Sequence, residues 1–285
     1  MNLEAVRSYP FKPIEHSYTF KDTILYALGI GYGSNPSDSA QLGFVYEQGE
    51  PSLKILPSIV CVLAQAPFWI SDPVVGIDWI KVLHGEETFR IYRPIPAEGT
   101  VIGTYQVVAV EDKGDRGATI HLLKQLRDKA GGTLIAEVMT VMIARGDGGC
   151  GGFGEVPVAA AALPDASPAS ICDIQTSLRS ALIYRLSGDY NPLHVDPSAA
   201  KKGGFDRPIL HGLCTLGVSA RALISTYAEG RPERLKSMFV RFSRPVFPGE
   251  TIRTEFFPKG SEIGFRARVL ERNVVVLDRC KAVLA

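Results

Sequence analysis

Two segments recur in the same order, at similar offsets, on either side of a glycine- and proline-rich seam. Ile24-Leu25-Tyr26-Ala27-Leu28-Gly29 resembles Leu182-Ile183-Tyr184-Arg185-Leu186-Ser187-Gly188, and Arg93-Pro94-Ile95-Pro96-Ala97-Glu98-Gly99-Thr100 resembles Arg244-Pro245-Val246-Phe247-Pro248-Gly249-Glu250-Thr251. One such match can be chance, but two in register point to a duplicated unit. Duplication constrains a chain of 285 residues strongly. Whatever unit of about 140 residues forms in one half must form, in outline, in the other. The seam runs from Gly146 to Ser170, through Gly148-Gly149-Cys150-Gly151-Gly152-Phe153-Gly154, an alanine run and Leu163-Pro164-Asp165. Such a stretch reads as a linker. The expected division is an N-terminal half over 1–150, a linker over 151–170 and a C-terminal half over 171–285.

Both halves share one grammar, helices first and strands after. In the second, Thr176 is expected to cap a short helix with Leu178, Leu182 and Leu186 on a core-facing side, closed by Gly188. A longer helix is expected from about His211 to Tyr227, with Leu213, Leu216, Ala220, Leu223 and Ile224 at three- and four-residue spacing. Strand patterns follow over 237–246, 251–257, 262–270 and 274–284, parted by turns such as Pro248-Gly249 and Pro258-Lys259-Gly260. In the first half, Pro57 to Gln65 is the candidate long helix, with strands from Ile77 onward and a turn at Asp112-Lys113-Gly114-Asp115. The expected class is α+β, with antiparallel strands and a helix central to each half.

Composition narrows the function. With 31 basic and 30 acidic side chains the net charge is +1, which argues against a broad nucleic-acid-binding face. The most apolar run, Ile55 to Ile70, is interrupted by Pro57, Gln65 and Pro67, whereas a membrane span needs about 20 apolar residues. Met1 to Phe11 has no signal-peptide core, and Val283-Leu284-Ala285 is not a peroxisomal address. Cys61, Cys150, Cys172, Cys214 and Cys280 form no C-x-x-C pair, so reduced thiols and a cytoplasmic location are expected. Gly149, Gly151 and Gly154 fit G-x-G-x-x-G, but Pro157 stands where the phosphate-binding helix would begin.

The chemistry concentrates in Tyr184-Arg185-Leu186-Ser187-Gly188-Asp189-Tyr190-Asn191-Pro192-Leu193-His194, followed by Phe205-Asp206-Arg207-Pro208-Ile209-Leu210-His211-Gly212. Gly188 and Pro192 constrain the backbone so that Asp189, Asn191 and His194 can converge. A carboxylate beside an imidazole is a general acid/base unit, and an adjacent amide can orient a water. The alternative is that Asp189 caps the next turn and His194 is a hydrogen-bonded core histidine. His211-Gly212 opens the long helix, where free backbone N–H groups can bind a substrate oxygen that becomes negative in the transition state.

Residues 184–214 resemble the signature of enoyl-CoA hydratase 2, a MaoC-like dehydratase family with a double hot-dog fold. Tyr26-Ala27-Leu28-Gly29, Lys81-Val82-Leu83-His84-Gly85-Glu86, Gly151-Gly152-Phe153-Gly154 and Arg241-Phe242-Ser243-Arg244-Pro245-Val246-Phe247-Pro248-Gly249 carry the same resemblance along the chain. It implies reversible hydration of a trans-2-enoyl-CoA to the (3R)-3-hydroxyacyl-CoA without metal or organic cofactor. It further implies Asp189 and His194 as the catalytic pair, Asn191 holding the water and the Gly212 N–H binding the thioester oxygen. Acyl-CoA contacts map onto His84, Gly85, Lys113 and Phe242, Glu47 matches a glutamate important to the family, and a homodimer is implied. The first half has no Asp…His pair after Tyr26-Ala27-Leu28-Gly29, so a binding wall is expected there. Three rivals stay open: metal-dependent hydrolysis through His194, Asp196 and His211, a hot-dog thioesterase, and a non-catalytic acyl-CoA binding module.

Overall fold

In the computed structural model, which describes residues 1–49 and 52–285, the duplication is visible as strand order. The first half contains α1 (Leu3–Arg7), β1 (Ile14–Tyr18), α2 (Phe20–Gly29), α3 (Ser39–Leu42), β2 (Val82–Ile91), β3 (Gly99–Asp112), β4 (Ala118–Asp128) and β5 (Leu134–Ala144). The second contains β6 (Ser170–Gln175), α4 (Ser180–Tyr184), α5 (Pro197–Lys202), α6 (Gly212–Tyr227), β7 (Leu235–Phe242), β8 (Thr251–Lys259), β9 (Glu262–Val269) and β10 (Val274–Leu284). All ten strands join one antiparallel sheet in the order β1-β3-β4-β5-β2-β7-β10-β9-β8-β6. Read outward from the junction, each half places its second, fifth, fourth, third and first strands in the same sequence. The halves meet where β2 pairs with β7, with Thr88 opposite Phe239 and Glu86 opposite Arg241.

Alternation explains the strands. In β9, Ile263, Phe265, Ala267 and Val269 are buried while the residues between them are not, as one face turns to a core. That core is α6, buried almost throughout from Cys214 to Ile224 and wrapped by β6, β7 and β8. Gly217 lets α6 approach the first half. A Cβ there would stand 2.6 Å from Ile30 Cγ2 and 3.1 Å from the Tyr26 hydroxyl, too close for any side chain. Nearby, the duplicated segments pack on each other: Tyr26 and Tyr184 are both fully buried, with ring centroids 5.8 Å apart.

Four expectations need correction. The stripe Leu178, Leu182 and Leu186 does not face a core; it is exposed, Leu182 by 54%. The helix α4 is a single turn that buries Ala181 and Tyr184 instead. Thr176 does not cap it: its hydroxyl donates to Glu250 O at 2.8 Å and accepts from Gly249 N. The strand expected over 237–246 ends at Phe242, before Pro245, which has no N–H to give a ladder. In the first half the strand begins at Val82, because Trp79–Lys81 forms a 3-10 turn.

The largest correction is the first half's missing helix. Pro57–Cys61 is a 3-10 turn, and Ala64 adopts a left-handed φ of 48°, so the segment stops where a helix would continue. Its carbonyls find another partner. Lys124 of β4, 3% exposed, points Nζ at Val60 O (2.8 Å), Cys61 O (3.2 Å) and Leu63 O (2.9 Å). Three donors meet three acceptors that an α-helix would have satisfied internally. The first half therefore wraps a stapled irregular segment rather than a central helix.

The glycine-rich seam also has a local cause. Gly149 and Gly151 donate backbone N–H groups to the Asp112 carboxylate at 2.9 and 2.8 Å, and Phe153 pairs with Val110 beside β3. Thus the G-x-G-x-x-G spacing clasps the protein's own carboxylate, which is held below its ordinary pKa by these amides. No described helix is long and apolar enough to cross a membrane.

Candidate active site

Gly188 turns the chain at φ 121° after α4, and Pro192–His194 forms a 3-10 turn capped by Asn191, whose Oδ1 accepts from Leu193 N at 3.0 Å. These two constraints bring Asp189 and His194 together. Asp189 Oδ1 accepts from Asn191 N at 3.1 Å, and Oδ2 stands 3.8 Å from His194 Nε2. That gap is too long for a direct hydrogen bond and suits one bridging water.

The histidine's tautomer follows from its other nitrogen. His194 Nδ1 lies 2.9 Å from Ile209 O. A carbonyl only accepts, so Nδ1 carries the proton and Nε2 presents a lone pair toward Asp189. Burial lowers the His194 pKa from its ordinary value of 6.5, opposed by the Ile209 carbonyl and Asp189. His211 stacks beneath it with centroids 3.7 Å apart, and its Nε2–H donates to Asp189 O at 3.1 Å. Burial and the neighbouring His194 bring His211 down to about 4. His211 N-caps α6, so Gly212 is the first helical residue. Among the described residues its N–H has no backbone acceptor, as expected for a first-turn donor.

The acyl-CoA candidates divide. His84 and Phe242 come together across the β2–β7 junction, ring centroids 4.7 Å apart, and Phe242 lies against Gly212, where a Cβ would be 3.1 Å from its ring. His84, Phe242 and Gly212 therefore form one wall built from both halves. Gly85 is buried as the extra residue of a bulge in β2, between His84 opposite Met142 and Glu86 opposite Val141. A Cβ on it would stand 2.7 Å from Ile143 Cγ1. Lys113 sits in the β3–β4 turn with its ammonium on the Glu111 carboxylate. Glu47 is exposed, and among the described residues it makes no recorded hydrogen bond.

Sequence reasoning missed two residues here. His211 is expected from the sequence as the neighbour of Gly212 and as a metal ligand in a rival reading, not as the ring that stacks on His194 and donates to Asp189 O. Glu87 is buried and hydrogen-bonded to His84 Nε2 at 3.0 Å; a strand's alternation would have put residues three apart on opposite faces.

Asp189, His194 and His211 each offer one atom within 4.8 Å of the others. Asp196 is not part of this set, because its carboxylate caps α5 through Ser198 N at 2.8 Å. The trio fits a metal poorly. A bound ion lies near the plane of each ligating ring at about 2.0 Å, and two stacked imidazoles inclined by 26° do not point their lone pairs at one centre.

In the first half the segment after Gly29 carries an aromatic cluster instead of an Asp…His pair. Tyr32 stacks on Phe44 at 4.2 Å, and the Arg221 guanidinium from α6 lies 4.7 Å over the Tyr32 ring. A cavity of about 210 Å³ separates the halves beside the Asp189 loop, lined by Leu25, Tyr26, Val62, Leu63, Gly188 and Tyr190 among others.

Comparison with known proteins agrees with this geometry. Residues 16–146 match the MFE-2 hydratase 2 N-terminal domain family and residues 159–279 the MaoC like domain family. The chain is 35% identical over 290 residues to the peroxisomal enoyl-CoA hydratase 2 of Arabidopsis thaliana, covering 97% of this chain and 93% of that one. It is 38% identical to the peroxisomal multifunctional enzyme type 2 of Mus musculus, covering 92% of this chain but 36% of that longer protein. A MaoC-like dehydratase structure from Phytophthora capsici superposes with a TM-score of 0.88 at 34% identity, covering 100% of this chain and 99% of that one. At 14% identity and a TM-score of 0.55, a Mycobacterium tuberculosis protein described as having a double hot-dog fold, covering 98% of each chain, shares the fold. With both halves matched by these family models and 35% identity along almost the whole of a hydratase 2, this chain, a duplicated antiparallel sheet, belongs to the MaoC-like hydratase 2 family of double hot-dog proteins.

Proposed function

We propose that this protein adds water across the C2=C3 bond of a trans-2-enoyl-CoA to give the (3R)-3-hydroxyacyl-CoA, and catalyses the reverse dehydration. The observation that carries this reading is the 3.8 Å gap between Asp189 Oδ2 and His194 Nε2, next to the Gly212 N–H, which has no backbone acceptor among the described residues. A water in that gap, held also by Asn191, donates a proton to the pair as its oxygen bonds C3. The C2=C3 electrons move to the thioester oxygen, which accepts from Gly212 N–H, and C2 then takes a proton from the pair. His84 and Phe242 supply the wall for the acyl-CoA, and Lys113 suits a phosphate as a mobile ammonium. The first half, 1–150, serves as a binding wall, and the cavity beside Gly188 suits the acyl chain. The names of the relatives support the same substrate class.

The test is a chiral assay of the product from short, long and branched trans-2-enoyl-CoAs. Mainly the R isomer is expected; mainly the S isomer, or free thiol release, defeats the reading. Chelator is expected to leave the rate unchanged, since the stacked histidines do not suit an ion; loss of activity restored by a divalent metal would revive the metal alternative.

The histidines set a pH expectation. Both rings have folded pKa values below 6.5, so His194 stays a neutral base at pH 7. The acid limb of kcat/KM is expected below pH 6.5, and a limb at or above it contradicts the base assignment. Unfolded chains bind these protons more readily, so stability holds above pH 6.5 and declines as pH falls toward about 4.

A further inference from the structure

We propose that Glu87 is a positioning residue for the acyl-CoA groove: from inside the first half it holds His84 against Phe242, and so fixes the aromatic wall beside Gly212. The inference rests on the hydratase reading above.

The register of β2 explains how the two side chains meet. On β5, Val138, Thr140, Met142 and Ala144 share one face, and they oppose Phe89, Glu87, His84 and Val82. The bulge at Gly85 inserts one residue and reverses the alternation, so His84 and Glu87 lie on the same face. Ile143 presses on Gly85 too closely to admit a Cβ, which keeps the bulge in place.

Glu87 is 2% exposed and hydrogen-bonded to His84 Nε2 at 3.0 Å, with the buried Cys61 thiol also beside its carboxylate. Lys124 lies near enough to feel its charge but spends its three protons on carbonyls. Burying a carboxylate is costly unless something binds it. Sheet packing does not require one here. Aligning Arg93-Pro94 with Arg244-Pro245 puts Met238 at the matching position of the second half, fully buried in the core. The first half thus carries a buried acceptor where its duplicate carries a thioether, and that acceptor reaches out to a solvent-accessible histidine. With Nε2 engaged by Glu87, His84 presents Nδ1 and its ring edge at the junction, where the ring meets Phe242.

The experiment is steady-state hydration of a trans-2-enoyl-CoA by wild type, Glu87→Leu, Glu87→Gln, His84→Phe and the Leu/Phe double variant. Glu87→Leu is expected to raise KM about tenfold with kcat changed less than about threefold. Glu87→Gln keeps an oxygen for His84 and is expected to return KM to within about threefold of wild type. The double variant is expected to match His84→Phe alone, since coupled residues are not additive. A merely structural carboxylate would lower the active fraction without moving KM. An unchanged KM in folded Glu87→Leu, or additive effects in the double variant, overturns the inference. If Glu87→Leu does not fold, His84→Phe on the accessible side decides: the same rise in KM is expected, and none overturns it. Wild type without hydratase activity defeats the functional reading instead, which is a separate result.

Discussion

Replacing His194 with alanine is expected to lower kcat for enoyl-CoA hydration by about 10²–10⁴-fold, the usual worth of a positioned acid/base group. His194 Nε2 aims a buried imidazole lone pair at the Asp189 carboxylate, since Nδ1 is committed to Ile209 O. Asp189→Asn is expected to cost as much. The amide keeps an oxygen for Asn191 N, so the loop geometry survives while the negative charge does not. Stability should change little by comparison: His194→Ala gives up one hydrogen bond, worth about 1 kcal/mol. The double variant should be hardly slower than either single one, because members of one catalytic unit are not additive. Kinetics on folded protein, verified by circular dichroism, decide the matter. Near-wild-type turnover in either variant removes the pair from the mechanism.

The second large effect is on stability. Lys124→Met keeps the aliphatic stem but strips the donors from Val60 O, Cys61 O and Leu63 O. Leaving a buried acceptor unpaired costs about 1–3 kcal/mol. Removing the buried charge offsets part of the loss, since burial already draws the Lys124 pKa down to about 8. A net loss of about 3 kcal/mol, or about 6–12 °C in Tm for a chain of this size, is expected. An unchanged melting temperature would mean that the segment around Pro57–Cys61 is held by packing alone.

Lys124 also marks the limit of what the sequence reveals. Local signals were readable where the chain decides its own conformation. The long helix α6 has its apolar spacing and its start at His211-Gly212, and β10 falls on Val274–Leu284 as expected. Pro57 to Gln65 carries a comparable apolar run, yet it forms a 3-10 turn. Nothing within nine residues discloses that a lysine about sixty positions later will take its carbonyls. The leucine stripe of 178, 182 and 186 failed for a related reason. Period reveals an apolar face, but whether that face is covered depends on which element arrives opposite, and here none does among the described residues.

The candidate site divides in the same way. Asp189, Asn191 and His194 lie within six residues, so a glycine and a proline suffice to converge them, and their spacing was legible. His211 under His194, and Glu87 behind His84, were not. The first pair joins residues on separate loops. The second depends on a bulge that reverses strand alternation, and Phe242 meets His84 only because β2 and β7 pair at the junction. The sequence by itself therefore determined the duplication, the strand-rich class and the convergence of Asp189, Asn191 and His194 in one loop, all products of short-range pattern. Tertiary structure alone decided which apolar faces are buried, what replaces the first half's helix and which side chains wall the groove. Those outcomes rest on long-range contacts, whose partners no local period encodes.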